Sequence, residues 1–250
     1  MYRFASSKTL TLMDPRLVPP LRFANVWPAV PETFLVQEHI RQALPKSSQV
    51  ESGLIQGDSH TPTGVQVREA AVLIGLAQRE QGLAVLLTQR PQSMPTHAGQ
   101  IAFPGGKWQE SDSTAEEAAL REAHEEIGLH IQDVTVLGRL PVYCTRSGFR
   151  IHPVIGVVSS QANLHADPRE VDEIFEIPLS FFMNGRFHRM HRAQHEGKTW
   201  SWWSMPYQQT VGTRTLERFV WGATAGMLRN FYLVMLHHAQ QNPDRSATTL

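Results

Sequence analysis

Apolar and polar positions separate most cleanly between Ser113 and Leu129. Ala119, Leu120, Ala123 and Ile127 gather on one side of a helical projection. Glu122, Glu125 and Glu126 gather on the other, within an arc of about 100° when each residue turns by roughly 100°. Ser113 with Glu116 and Thr114 with Glu117 each have the spacing of a capping box, and Gly128 supplies a stop, which together predict a helix over 114–127. One face of this helix packs and the other presents three carboxylates.

The remaining periodicities are shorter. Arg68–Ala77 and Leu83–Thr88 are apolar runs separated by a glycine-containing loop, the pattern of a strand hairpin. Val134–Leu140, Ile151–Val158 and Thr199–Met205 read as strands, Leu179–Phe182 as a short helix, and Leu216–His238 as a long amphipathic helix. Upstream, residues 1–30 are punctuated by proline without a period. A helical pattern then opens at Pro31 and Glu32, runs through Phe34, Leu35, Ile40 and Leu44, and is expected to stop at Pro45. Ser47–Gly64 has the composition of a linker. The chain therefore reads as an arm, helix and linker over 1–64, one domain over 65–240 and a flexible tail over 241–250, with mixed strands and helices of the α/β or α+β class and no internal repeat.

Charge alters this picture by exclusion. The 23 basic and 23 acidic side chains cancel, so nothing global favours a nucleic acid or an anionic membrane, and attraction to an anion has to be local. No apolar run reaches the roughly 18 residues of a membrane helix, and the first residues lack the apolar core of a secretory signal. The single cysteine, Cys144, rules out an internal disulfide and fits a reducing compartment, so the expected location is the cytoplasm. Cys144 also lacks the neighbours of an activated nucleophile.

Three close carboxylates repel one another and call for a counter-charge. Oxygen ligands on a rigid helix suit a hard divalent cation, Mg2+ or Mn2+ first. Arg121 lies beside them and can pair with Asp112 or with a glutamate, fixing the preceding loop on the helix. Gly105 and Gly106 permit close backbone approach, and a carbonyl there can complete a metal shell.

The run Gly105-Gly106-Lys107, the acid Asp112 and then Arg121-Glu122-x-x-Glu125-Glu126-x-Gly128 resembles the signature box of the Nudix hydrolases, metal-dependent enzymes that cleave diphosphates linked to another moiety. The interval from Asp112 to Arg121 is one residue longer than in the general box. That extra residue, the aspartate, and the wording Phe103-Pro104-Gly105-Gly106-Lys107 are similar to the coenzyme A diphosphatase branch, as is the upstream Leu86-Leu87-Thr88-Gln89-Arg90. Pro91 and Pro95 stand where that branch places a small residue and a second basic one. The likeness spans residues 65–235 and includes Glu170-Val171-Asp172-Glu173-Ile174-Phe175.

The resemblance implies a mixed sheet between helices, with homodimers common. It further implies hydrolysis of coenzyme A or an acyl-coenzyme A to 3′,5′-ADP and 4′-phosphopantetheine or its acyl form. The two prolines keep ADP-ribose, NADH or an oxidised nucleotide open as substrates, and a binding-only sensor is the rival outside catalysis. Glu122 and Glu126 are the expected principal metal ligands, and Glu125 a further ligand or the base. Among the cations, Arg90 ranks first for meeting phosphate oxygens, followed by Lys107, Arg146 and Arg150. Glu170 or Glu173 can add a late carboxylate or form salt bridges. His188, His191 and His195 have zinc-like spacing, but without a nearby cysteine and beside Arg189 and Arg192 they read as structural, as do His97 and His152. Trp200, Trp202, Trp203 and Trp221 are core candidates that could alternatively stack on an adenine.

Overall fold

A computed structural model describes residues 2–3, 14–22, 27–50, 54–55, 57, 67–195 and 198–243. In chain order the first elements are β1 (Tyr2–Arg3), α1 (Gln37–Ala43), β2 (Arg68–Arg79), β3 (Gly82–Gln89), β4 (Ile101–Ala102), β5 (Gly105–Lys107) and α2 (Ala115–Ile127). They are followed by β6 (Val134–Arg139), β7 (Tyr143–Cys144), β8 (Phe149–Val158), β9 (Glu173–Pro178) and α3 (Leu179–Phe182). The chain ends with β10 (Arg189–His195), β11 (Lys198–Val211), β12 (Arg214–Trp221) and α4 (Gly222–Gln241).

The larger sheet runs β4-β3-β2-β8-β6, with β5 also paired to β2, β7 to β8 and β9 to β3. It is mixed, because β2 and β8 are parallel while β2 and β3 form the antiparallel hairpin expected from sequence. Alternation along its strands divides the apolar residues between two cores. Leu73, Leu86 and Val154 face Ala115, Ala119, Ala123 and Ile127 of α2. Ile74, Leu87 and Ile155 point the other way, into a core shared with Ile40, Phe34, Leu228 and Phe231. The sheet is thus sandwiched between α2 on one face and α1 with α4 on the other, in a mixed α+β fold.

Two expected helices come out differently. Leu216–Trp221 is strand, and α4 starts only at Gly222. Gly212, at φ +61°, makes the turn that folds β12 back on β11, and the two pair from Val211 and Arg214 to Ser204 and Trp221. Bulky Leu216, Phe219, Val220 and Trp221 suit a pleated surface, so the strand wins over the apparent helical period. The strand expected to end at Met205 consequently runs on to Val211. Near the start of the chain, the pattern opening at Pro31 breaks into a 3-10 turn over Glu32–Phe34 and α1, which ends at Ala43 just before Pro45, and Pro45 sits in the first turn of a further 3-10 segment.

Val30, Phe34, Ile40 and Leu44 of the arm are buried in the same core as α4. Ile55 is clipped to that helix at two points, its N–H donating to Asn230 Oδ1 at 2.7 Å and its carbonyl accepting from Asn230 Nδ2 at 2.9 Å. Most of the expected linker and residues 244–250 of the expected tail lie outside the described residues.

Candidate active site

The local order that builds the site begins in the caps of α2. Thr114 Oγ1 accepts the Glu117 N–H at 3.1 Å, and Glu117 Oε2 in return accepts the Ser113 N–H at 2.7 Å. Gly128 closes the helix at φ +65°. Between these caps the sheet-facing positions are mostly alanine, which lets α2 lie close to the sheet and carries the polar edge of the helix down toward β5.

β5 is held against β2, with Gly105 opposite Val72 and Gly106 opposite Ala71. A Cβ on Gly106 would lie 2.4 Å from Glu122 Oε2, so the carboxylate rests on the bare backbone. Glu126 is 4% exposed, and its Oε2 accepts the Gly105 N–H at 3.2 Å. Burial pushes its carboxyl up to about 8, aided by the Glu170 and Glu122 charges and opposed by the Gly105 N–H and Arg90. Glu122 is also raised, by burial first, while Arg121 lowers it and Glu125 and Glu170 add to the repulsion.

Arg121 fills the support role expected from sequence, and does so on both sides. Its Nε and Nη2 donate to the two oxygens of Asp112 at 3.0 and 2.9 Å, and Nη2 also donates to the Lys107 carbonyl at 3.1 Å. Its Nη1 reaches Glu122 Oε1 at 2.9 Å and Glu125 Oε2 at 3.2 Å. Asp112 is held below the usual carboxylate range, chiefly by this arginine. Two residues that the sequence did not single out complete the loop. Trp108 Nε1 donates to the Asp112 carbonyl at 2.7 Å, and Glu69 accepts His152 at 2.7 Å and Arg150 at 3.0 Å.

The other candidates divide. Arg90 is coupled to the site, since its charge lowers Glu126; its Nε is buried and has no hydrogen-bond partner among the described residues. Lys107 ends β5 with an exposed side chain. Arg146 lies 3.8 Å over the Trp200 ring and Arg150 is paired with Glu69. Of the two late carboxylates, Glu170 acts on Glu122 and Glu126, whereas Glu173 pairs with Arg218. The loop bearing Glu170 hangs from the end of α2, Asp167 N–H donating to the Glu126 carbonyl at 2.9 Å.

The zinc-like histidines are structural at the two positions whose side chains are described. His188 pairs with the Phe182 carbonyl and Arg229 Nη1, each at 2.9 Å, and His191 with the Val18 carbonyl and Ser204 Oγ, each at 2.7 Å. Trp202 stacks on His191, and Trp203 meets Trp27 edge to face.

Among the described residues no three His, Cys, Asp or Glu side chains converge to hold a metal ion. Arg121 ties up an oxygen of Glu122 and one of Glu125. The donor chemistry nevertheless fits a hard divalent cation: all oxygen, mutually repelling, partly desolvated, and set on a glycine whose missing side chain makes room for Glu122.

Residues 67–203 match the family model described as the NUDIX domain. The chain belongs to the Nudix family. It is 40% identical over 169 residues to an Enterobacter protein named uncharacterized Nudix hydrolase NudL, covering 66% of this chain and 82% of that one. An Escherichia coli protein of the same name is 38% identical over the same shares. A crystal structure of a C. elegans Ap4A hydrolase binary complex overlaps 44% of this chain and 80% of its own with a TM-score of 0.39 at 18% identity. The chain is accordingly a hydrolase of phosphoanhydrides in small-molecule diphosphates, in a family that generally uses divalent cations. Among the described residues no helix is long and apolar enough to cross a membrane.

Proposed function

We propose that this Nudix hydrolase, with Mg2+ or Mn2+, cleaves the diphosphate of coenzyme A or an acyl-coenzyme A, yielding 3′,5′-ADP and 4′-phosphopantetheine or its acyl form. The observation that carries the reading is Arg90, whose buried Nε has no hydrogen-bond partner among the described residues and whose charge bears on the desolvated carboxylate of Glu126. Strand pairing supports it by joining the two sequence elements on which the coenzyme A reading rests. Thr88 and Gln89 pair with Ala102 and Ile101, and Arg90 N–H donates to the Gln100 carbonyl at 3.0 Å, so Leu86–Arg90 lies against the residues that lead directly into Phe103–Gly106.

Glu122 and Glu126 would hold the cation, with the Gly106 carbonyl completing its shell and Glu125, the most exposed of the three, as a further ligand or the water-activating base. A bound divalent cation neutralises phosphate charge and acidifies water. Arg121 keeps Asp112, Lys107 and the glutamates in one frame, a positioning role. Arg90 and Lys107 meet the diphosphate oxygens, and Arg146, over the Trp200 ring, and Arg150, paired with Glu69, are the candidates to meet an outlying phosphate. A protein with one half-exposed cysteine fits a reducing cytoplasm.

Pro91 and Pro95 favour a second reading, in which ADP-ribose, NADH or an oxidised nucleotide takes the place of coenzyme A. Product analysis on coenzyme A, ADP-ribose, NADH and 8-oxo-dGTP in parallel, with either cation, separates the two. Release of 3′,5′-ADP from coenzyme A alone is the expected result. Preference for another diphosphate would select the second reading, and no turnover of any would move a ligand sensor ahead.

A further inference from the structure

The matched NUDIX region ends at residue 203, yet the chain beyond it reaches back to the flanks of the site. Arg218 of β12 is 4% exposed. Its Nη1 and Nη2 donate to the two oxygens of Glu173 at 2.7 and 2.5 Å, Nη1 also donates to Gln89 Oε1 at 3.1 Å, and Nε donates to Gln209 Oε1 at 2.6 Å. The Phe175 ring lies 4.1 Å beneath the guanidinium. One buried cation thereby ties its own strand to β11, to the end of β3 and to the start of β9.

Gln89 is the junction through which these contacts reach the chemistry. It is paired with Ile101 on one side and Glu173 on the other, its carbonyl accepts the Asp172 N–H at 2.8 Å, and the next residue is Arg90. Asp172 closes the loop that carries Glu170. On the other flank, Thr224 Oγ1 of α4 donates to the Ile101 carbonyl at 3.1 Å, two residues before Phe103-Pro104-Gly105. The β11–β12 hairpin and α4 therefore brace the strand that presents Arg90 and the loop that presents Glu170.

We infer that Arg218 is a positioning residue for substrate: by fixing Gln89 and Glu173 it sets Arg90 and the Glu170 loop against the carboxylate face of α2. The inference rests on the proposed diphosphate hydrolysis for its kinetic consequence, but not for its structural one. Glu173 is 44% exposed, so losing its partner returns it to water and does not strand a buried charge, and the fold is expected to survive Arg218→Gln.

Two measurements on the full chain decide it. Hydrogen exchange should quicken at 88–91, 100–102 and 170–173 in the variant while 118–127 stays unchanged, with Arg218→Lys intermediate; if Arg218→Gln does not fold, the lysine variant carries this measurement. Unaltered exchange in those three segments would overturn the inference whatever the activity. On the best substrate of the four diphosphates, KM should rise about tenfold with kcat within about twofold, and Arg218→Gln should add nothing to the KM of an Arg90→Gln protein. Full additivity in that cycle would show that Arg218 acts elsewhere. If none of the four is turned over, the proposed function fails and exchange alone settles the clamp.

Discussion

Two adjacent glycines should respond oppositely to a single methyl group. At Gly106 the three atoms nearest the added Cβ are those of the Glu122 carboxylate, at 2.4, 2.5 and 2.6 Å. That is the far end of a flexible side chain, and rotating it away gives up the Arg121 contact while Arg121 keeps both oxygens of Asp112. One charged hydrogen bond at a part-buried site costs about 1–2 kcal/mol at most, so Gly106→Ala should fold. At Gly105 the Cβ meets backbone, 2.5 Å from the Ala71 carbonyl oxygen and 2.6 Å from Val72 Cα, at a φ of +158° that side chains rarely adopt. Separating β5 from β2 combines overpacking of about 1–3 kcal/mol with backbone strain of about the same size. At roughly 2–4 °C per kcal/mol for a chain of this size, Gly105→Ala should melt about 5–15 °C lower, against no more than a few degrees for Gly106→Ala. Activity should not follow stability: Gly106→Ala, with Glu122 turned off the cation site, should lose on the order of a hundredfold in kcat/KM while remaining folded. Calorimetry and initial rates on the two proteins test this. Equal melting temperatures, or a Gly106→Ala enzyme within about threefold of the parent, would refute the reasoning.

Glu126→Gln keeps the acceptor for the Gly105 N–H and removes a charge, so turnover should fall by at least about a hundredfold with the circular dichroism spectrum intact; unchanged turnover would remove Glu126 from the metal site. Arg121→Lys replaces a fork that reaches five acceptors with one ammonium and should lose about 1.5–3 kcal/mol in urea denaturation; a loss under about 0.5 kcal/mol would make the pairs incidental. His188 is pulled down to about 3, by burial first and then by the Arg229 charge, so the unfolded chain binds a proton that the folded one refuses between about pH 6.5 and 3. Its contribution to stability is whole above pH 6.5 and falls with pH by up to about 1.4 kcal/mol per unit; a His188→Gln protein with the parent's slope between pH 7 and 5 would contradict it.

The fold was legible wherever a local rule and the tertiary outcome agreed. Thr114, Glu117 and Gly128 cap α2 as the sequence alone requires, because capping is decided within a turn. Leu216–Trp221 misled because Leu216, Phe219 and Val220 keep the helical spacing that continues into α4, and the deciding partner, β11, lies across the Gly212 turn. Among the candidate site residues, Arg121 and the three glutamates could be grouped from sequence because one helix carries them all. Glu170 could be named only as one of two acids, since the choice depends on Asp167 hanging from the end of α2 and on Arg218 taking Glu173. Nothing near Arg218 in sequence signals its role, because all of its partners lie on other strands.

The burial of Glu126 follows from residues that carry no chemistry. Ala119 and Ala123 are fully buried against Ala71 and Leu73, and larger side chains there would hold α2 farther from the sheet. Glu126 stands one turn beyond the Glu122 that rests on Gly106, so a close helix axis drives its carboxylate onto the Gly105 N–H and out of water. Raising the helix would return both carboxylates toward solvent, relieve their repulsion, and weaken the attraction that a desolvated acid pair exerts on a divalent cation. Ala123→Val should therefore weaken Mn2+ binding, measured by calorimetric titration, even though residue 123 contributes no ligand. An unchanged affinity in a folded Ala123→Val protein would mean that the helix-to-sheet distance does not set the charge state of the site.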